Sequence, residues 1–387
     1  MKPFADRLSR LGTETAFEVL ARAKALEAQG KEIIHMEIGE PDFDTPGYIK
    51  QAAKDALDQG YTHYTPAAGL MPVRQTIADY IAETRNIPVK PDNIVIVPGG
   101  KPIMFYTIMA LVNPGDEVIY PNPGFPIYES MINFMEGVPV PLPLREEREF
   151  SFDVNEFKSL VTQRTKLIVI NSPGNPCGGV MTKADIEAVA EMALKRDCYV
   201  LADEIYSRMI YDGEHFSITQ LPGMQERTII LDGFSKTYAM TGWRAGYGVM
   251  NTEIAGWVTK LMVNSNSCTA AFTQMAGMAA LKGDQTESTK MVEEFRRRRD
   301  VIVAGLNKIP GIRCVMPHGA FYVFPNVKGL GMSTKEIADK LLYEAGVATL
   351  SGTAFGKYGE GYLRFSYATS MENIHKALDR IRKVVAK

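Results

Sequence analysis

The chain of 387 residues has only four cysteines, Cys177, Cys198, Cys268 and Cys314, and no two of them form a CxxC pair. No His/Cys spacing fits a zinc site, so no metal is expected, and so few thiols in so long a chain argue against a disulfide framework. No apolar run reaches the roughly 18 residues that a membrane-spanning helix needs. Met1–Arg7 holds no apolar stretch of the signal-peptide kind. Excess charge of either sign is also missing. Lys+Arg 43 against Asp+Glu 45 leaves a formal charge of -2, which gives no bulk attraction to nucleic acid or an anionic membrane. There is no low-complexity linker, no internal repeat and no G-x-G-x-x-G after a strand, which argues against a plain nucleotide-binding Rossmann protein. A reduced, soluble, cytoplasmic protein is expected. The one dense basic run, Arg296 to Arg299, follows Glu293 and Glu294 in a helical stretch and reads as a solvated helix face.

What is present is an ordinary globular composition, 45% hydrophobic and 23% charged, with length for two or three domains. Seven short apolar runs alternate with loops and helical patterns: Asn93–Val97, Glu117–Tyr120, Val138–Leu142, Leu167–Ile170, Tyr199–Ala202, Thr228–Leu231 and Ala245–Val249. Apolar on both faces, they read as strands of a parallel sheet covered by helices such as Lys183–Arg196. Only about a dozen residues separate Leu231 from Ala245, the minimum for a parallel crossover, so the last strand is expected to run antiparallel. Beyond about residue 285 the pattern changes to a long helix, Gln285–Asn307, strands at Ala320–Phe324 and Tyr362–Ser366, and helices at Thr334–Glu344 and Met371–Val385. The expectation is an α/β protein: a large domain over 45–285 with a mostly parallel seven-stranded sheet, and a smaller α+β domain from 1–44 and 286–387. The apolar stripe of a helix over Thr13–Gln29 needs cover from that second unit or from a partner subunit.

Ligands of doubly wound sheets bind beyond the carboxyl ends of the strands. Here those ends carry Pro98-Gly99-Gly100-Lys101, Asn122-Pro123-Gly124-Phe125, Asn171-Ser172-Pro173-Gly174-Asn175-Pro176, Asp203-Glu204-Ile205-Tyr206 and Gly233-Phe234-Ser235-Lys236, with Arg244 eight residues further on. Aligned strands bring all of them to one cleft.

The stretch from Ser235 to Gly246, Ser-Lys-Thr-Tyr-Ala-Met-Thr-Gly-Trp-Arg-Ala-Gly, resembles the active-site lysine segment of the class I/II aminotransferases, pyridoxal-phosphate enzymes of fold type I in the aspartate aminotransferase superfamily. The upstream Asn-x-Pro-x-Asn-Pro and Asp-Glu-x-Tyr segments, Gly39-Glu40-Pro41-Asp42 and Arg364 in Tyr362-Leu363-Arg364-Phe365-Ser366 extend the likeness over nearly the whole chain. The resemblance implies pyridoxal 5'-phosphate, a Schiff base on Lys236, and ping-pong transfer of an amino group between an L-amino acid and a 2-oxo acid.

Residue chemistry agrees. A lysine that bonds to an aldehyde must attack as a neutral amine, against a reference pKa of about 10.4, and burial with Arg244 nearby lowers that value. A surface lysine is the plain alternative. Asp203, at a strand end, needs a cation if buried. A pyridinium nitrogen supplies one, and the alternative is a helix cap. Arg244 offers a rigid fork and Ser235 a hydroxyl to a phosphate, with backbone N–H groups at Gly100 and Lys101 where a helix begins. The Lys101 side chain is left as solvated. By the resemblance, Tyr206 and Asn175 hydrogen-bond the cofactor's 3-oxygen, and Phe125 stacks on its ring. Gly39 brings backbone close to the substrate, Arg364 grips the substrate α-carboxylate through two parallel bonds, and Tyr64 reaches the phosphate of a neighbouring subunit in a homodimer with shared active sites. Plain packing or turn roles stand as alternatives for Phe125, Asn175 and Tyr64, and a structural ion pair for Arg364.

Two rival activities keep some of these residues. A carbon–sulfur β-lyase of the same fold keeps all of them. A sensor built on an aminotransferase-like domain carries a DNA-binding module before the fold, for which the motifs beginning near Gly39 leave no expected room. Pro102–Glu117 and Val263–Gln274 contain no basic residue, which tilts the expected substrates toward neutral or aromatic amino acids.

Overall fold

The computed structural model describes residues 4–385, so the first three residues of the Met1–Arg7 segment and the last two of the chain lie outside it. Its main sheet has eight strands: β1 (Ile94–Val97), β2 (Glu117–Asn122), β3 (Val138–Arg145), β4 (Ser151–Phe152), β5 (Thr165–Asn171), β6 (Tyr199–Asp203), β7 (Thr228–Gly233) and β8 (Gly246–Val249), in the order β1-β8-β7-β6-β5-β2-β3-β4. All seven expected strands are there. The tight connection after β7 has the foreseen result, since β8 runs antiparallel to both β7 and β1. The eighth strand, β4, is a two-residue antiparallel addition at the edge, too short to leave a pattern in sequence.

Period-two alternation explains how the sheet is covered. Val95, Val97, Val118, Leu167, Val169, Leu201, Ile229 and Leu231 pack into one apolar layer. Their neighbours point the other way, with Ile94, Ile96 and Ile230 in a second cluster and Ile119, Ile168, Ile170 and Val200 in a third. Strand β3 reads Val-Pro-Val-Pro-Leu-Pro-Leu-Arg, which a central strand would not tolerate. Val138 N–H donates to Asp116 O toward β2, so Pro139, Pro141 and Pro143 face the nearly open edge, where no donor is needed.

The C-terminal part builds a three-stranded antiparallel sheet from Tyr322–Val323, Leu363–Ser366 and Leu350–Ser351, packed with the helices Thr286–Leu306 and Met371–Val385 around Phe295, Phe321 and Phe365. Ile34–His35 pairs with Val347–Ala348, and the helix Thr15–Glu27 buries Ala23 and Leu26 against Leu342 and Ala348, so its apolar stripe is covered by this second unit. The helix expected over Thr334–Glu344 is α-helical only to Lys340 and then opens into a π turn, Leu341–Ala345.

The basic run departs from expectation. Arg296 and Arg297 are exposed, but Arg298 and Arg299 are buried. Arg298 reaches Asp42 at 2.7 Å and lies over the Phe43 ring, and Arg299 reaches Asp212 at 2.6 Å and lies over Tyr211. Each also has a local partner, Glu294 at 3.1 Å and Asp300 at 2.9 Å, but Asp42 and Asp212 are far away in sequence, so local charge pattern could not reveal the burial. The pair at Arg298 fixes the Gly39-to-Asp42 segment against the long helix.

Candidate active site

The parallel strands β2, β5, β6 and β7 end on the same side, with Asn171 opposite Asp203 and Asp203 opposite Leu231 in register. Beyond these ends lies a cleft of about 550 Å³, lined on its other side by Tyr322 and Arg364 of the C-terminal sheet and by Glu14, Ala16, Phe17 and residues 38–40. Gly39, Gly100, Lys101, Phe125, Asn175, Asp203, Tyr206, Ser235, Lys236, Arg244 and Arg364 all line it. Tyr64 does not. It stands 90% exposed on the surface.

Lys236 follows β7, and its Nζ donates to Gly39 O at 2.5 Å beside the Phe321 and Tyr206 rings. The half-buried side chain lines the cleft, with its ammonium packed among protein atoms. That desolvation lowers it to about 8, with Arg364 and Arg244 adding to the effect and Glu40 and Glu14 opposing it. Asp203 is buried, and burial raises its carboxyl to about 6. Tyr128 donates to Oδ2 at 2.6 Å and Ile205 N–H to Oδ1 at 3.2 Å, both opposing that rise. Among the described residues no ammonium or guanidinium lies within 4.0 Å of it. Directly behind, Glu204 and Asp232 are as deeply buried but closed off by Arg85 at 2.8 and 3.2 Å.

Arg364 is the reverse case, a buried cation with no carboxylate within 4.0 Å among the described residues. Nη1 donates to Asn175 Oδ1 at 3.1 Å and Nη2 to the Glu37 carbonyl, Nε has no partner, and the guanidinium lies over the Tyr322 and Phe355 rings. Burial holds its pKa below the usual arginine value. No structural ion pair accounts for it, which leaves a fork ready for an anion.

At the other end of the cleft, the helix Lys101–Leu111 starts at Gly100 with no side chain capping its first N–H groups. Arg244 presses against this turn: a Cβ on Gly99, whose φ is +84°, would sit 2.1 Å from Arg244 Nη2. Phe125 meets Tyr128 edge-on, with ring centroids 5.8 Å apart. The Lys101 side chain is not simply solvated. It pairs with Glu14 and lies 5.5 Å from the centre of the Phe125 ring.

Four lining or supporting residues had no assigned role. Tyr322 Oη meets Tyr206 Oη at 2.7 Å, and a Cβ on Gly39 would fall 2.1 Å from that same oxygen. Tyr128 supports Asp203, Asn171 Nδ2 donates to the Asp203 carbonyl at 3.0 Å, and Glu14 enters from the N-terminal segment. Asn171 stood in a quoted loop motif, and Gly39 pointed to a close neighbour without naming it. Tyr128 and Glu14 carry no local signal.

The cofactor implied by the resemblance can be tested against these charges. A buried carboxylate without a cation suits a pyridinium nitrogen, while uncapped N–H groups beside a free guanidinium edge suit a phosphate. The donor set fits pyridoxal phosphate.

The family model described as aminotransferase class I and II matches residues 31–381. The chain is 43% identical over 361 residues to an aspartate aminotransferase of Pyrococcus abyssi, covering 92% of each, and 38% identical to aromatic-amino-acid aminotransferase 2 of Thermococcus litoralis, covering 98% of each. Its structure is similar to that of a Thermus thermophilus aspartate aminotransferase solved with maleate, with a TM-score of 0.94 and 37% identity over 99% of this chain and 100% of the other. The chain belongs to the class I and II aminotransferases, a pyridoxal-phosphate-dependent family, and is itself an aminotransferase.

Proposed function

We propose that Lys236 is the cofactor lysine, that Asp203, Tyr206 and Asn175 hold the pyridoxal ring with Phe125 against its face, and that Arg244, Ser235 and the N–H groups at Gly100 and Lys101 hold its phosphate. When bound, the cofactor supplies an aldehyde that condenses with amines and a ring that accepts the electron pair left when the substrate's α-proton departs. The protein does the rest. Arg364 binds the α-carboxylate and orients the Cα–H bond. The Asp203 carboxylate keeps a proton on the pyridine nitrogen. Lys236 Nζ takes the α-proton and later returns it. With its pKa near 8, about a tenth of this amine is neutral at pH 7, far more than for an exposed lysine.

The carrying observation is the juxtaposition of Lys236, an unpaired Asp203 and an unpaired Arg364 around one cleft. Lys236→Ala tests it. The variant is expected to bind cofactor, show no transamination and take no label when treated with borohydride. Native-rate turnover, or a label at another lysine of the wild type, overturns the assignment. Pyruvate release from cystathionine without added oxo acid would favour the lyase instead.

We further infer that the substrates include dicarboxylic acids. Lys101 stands one residue before the Pro102–Glu117 stretch that lacks basic residues, and its ammonium is in the cleft. Arg364 and Arg244 are committed to the α-carboxylate and the phosphate, so Lys101 is the cation left for a distal carboxylate. The aspartate aminotransferase relatives and the maleate-bound neighbour support this reading over the neutral or aromatic tilt. A homodimer in which Tyr64 reaches the partner's phosphate is consistent with its exposure. The four free cysteines favour a reducing cytoplasm, and among the described residues no helix is long and apolar enough to cross a membrane. The domain division at 45–285 against 1–44 and 286–387 is proposed on the distinct apolar clusters of the two sheets, with Tyr206, Met209 and Tyr211 of the larger span packed into the cluster of the smaller one.

A further inference from the structure

The cation assigned above to a distal carboxylate already has an anion on it. Glu14 Oε1 pairs with Lys101 Nζ inside the cleft, and the Glu14 side chain is only 17% exposed. We propose that Glu14 is a specificity residue: an internal counter-ion that a dicarboxylic substrate displaces from Lys101 and that a neutral or aromatic substrate leaves in place. The inference rests on the reading of Lys101 given above.

Placement gives Glu14 the freedom to do this. It immediately precedes the helix Thr15–Glu27, whose later residues Ala23 and Leu26 are anchored on the C-terminal unit. On its other side Gly12 N–H is tied to Ser130 Oγ at 2.9 Å. Between these anchors the carboxylate can turn away by side-chain rotation alone. The neighbouring Phe17 lines the cleft, stands 60% exposed and offers apolar contact to a substrate without a distal charge.

Charge balance gives the exchange its consequence. Lys101, Lys236, Arg244 and Arg364 all line the cleft, against Glu14, Glu40 and Asp203. The Lys101 side chain is 45% exposed, and an apolar substrate beside a bare Lys101 would cover part of an unpaired ammonium, at a modest cost. With Glu14 in place the pair stays closed and the apolar side chain lies over Phe125 and Phe17. A distal carboxylate forms the same kind of bond that it breaks. Its net gain is therefore a difference, and dicarboxylate affinity is held below what Lys101 alone would provide. One cleft can thus serve both classes without rebuilding itself.

The test uses the holoenzyme and its variants Glu14→Gln, Lys101→Met and the double variant. Succinate, which has no amino group to react, is titrated calorimetrically, and KM is measured for L-aspartate and L-phenylalanine. Glu14→Gln is expected to tighten succinate about fivefold, the upper range for a partly exposed pair. It should also raise the ratio of the L-phenylalanine KM to the L-aspartate KM by a similar factor. The gain should vanish in the double variant. If Lys101→Met weakens succinate but Glu14→Gln leaves it unchanged, or shifts both KM values alike, the counter-ion inference fails and the Lys101 reading stands. If Lys101→Met leaves succinate binding unchanged, the Lys101 reading fails and takes the inference with it.

Discussion

Asp203→Asn should abolish transamination and at the same time stabilise the cofactor-free protein. The carboxylate is buried with no cation beside it, and its folded pKa is about 6 against 3.8 for the free group. That is about two units, or roughly 3 kcal/mol at 1.36 kcal/mol per unit. The sign follows from proton uptake. Between pH 3.8 and about 6 the folded protein holds more protons at this site than the unfolded chain, so stability falls as pH rises through that window and the full cost is present above it. Asparagine keeps an oxygen for the Tyr128 hydroxyl, which donates at 2.6 Å, and carries no charge to desolvate, but its NH2 faces the Ile205 N–H that donates to Oδ1 at 3.2 Å, which costs about 1 kcal/mol. Cofactor-stripped wild type and variant are to be compared by urea unfolding between pH 4 and 8. The variant should exceed the wild type by about 1–2 kcal/mol at pH 7.5, with the gap falling toward pH 4. Saturation with pyridoxal phosphate should shrink the difference at pH 7.5, because the wild-type carboxylate then gains its cation. A variant no more stable than wild type at pH 7.5, or a gap that does not change with pH, would refute the argument that Asp203 is an uncompensated charge awaiting a ligand.

Other perturbations probe the rest of the cleft. Arg364→Lys keeps the charge but loses the fork, and the loss of one charge-assisted hydrogen bond, about 1.5–3 kcal/mol, should raise KM for every amino acid by about 10- to 100-fold in steady-state assays. An unchanged KM would remove Arg364 from the substrate. Gly39→Ala places a Cβ 2.1 Å from Tyr322 Oη and 3.0 Å from Cζ, so it should weaken substrate binding through displacement of the Tyr322 ring. Adding Tyr322→Phe, which deletes the nearest clashing atom, should recover part of that loss. Failure of the second substitution to help would show that Gly39 matters for another reason.

The fold was legible because the strand signals are local. The strands are short, β-branched and bounded by Gly, Pro, Asn or Asp, and the antiparallel turn of β8 followed from chain length alone. Edge strand β4, with two residues, carries no periodicity to read. The same divide runs through the cleft. Lys236, Asp203 and Arg244 sit in motifs at strand ends or just beyond them and declared themselves. Tyr322 and Glu14 reach the cleft from the C-terminal sheet and from just before the N-terminal helix, and contact residues 116 and 87 positions away. The burial of Arg298 and Arg299 is hidden from the sequence for the same reason, because Asp42 and Asp212 approach them only through tertiary packing.

Burial of charge does not by itself mark a working site. Arg85, Glu204 and Asp232 are more deeply buried than Asp203, yet Arg85 bridges both carboxylates, its Nη2 also donating to Ser207 Oγ and its Nη1 to Thr84 Oγ1, and Ser217 donates to Glu204. Both carboxylates of that cluster have a guanidinium within 4.0 Å, and Glu204 has His215 as well, although burial still raises Asp232 to about 6; the cluster ties the strand end bearing Asp203 to the one that leads to Lys236. Asp203 and Arg364 differ in one respect: among the described residues no opposite charge lies within 4.0 Å of either, Lys236 acting on Asp203 and Glu37 and Glu14 on Arg364 only from further away. A fold bears such a cost only where something from outside repays it, and the two open charges call for opposite partners, a cation at Asp203 and an anion at Arg364. A ring nitrogen that carries a proton and a substrate carboxylate meet those two demands together, with Lys236 between them.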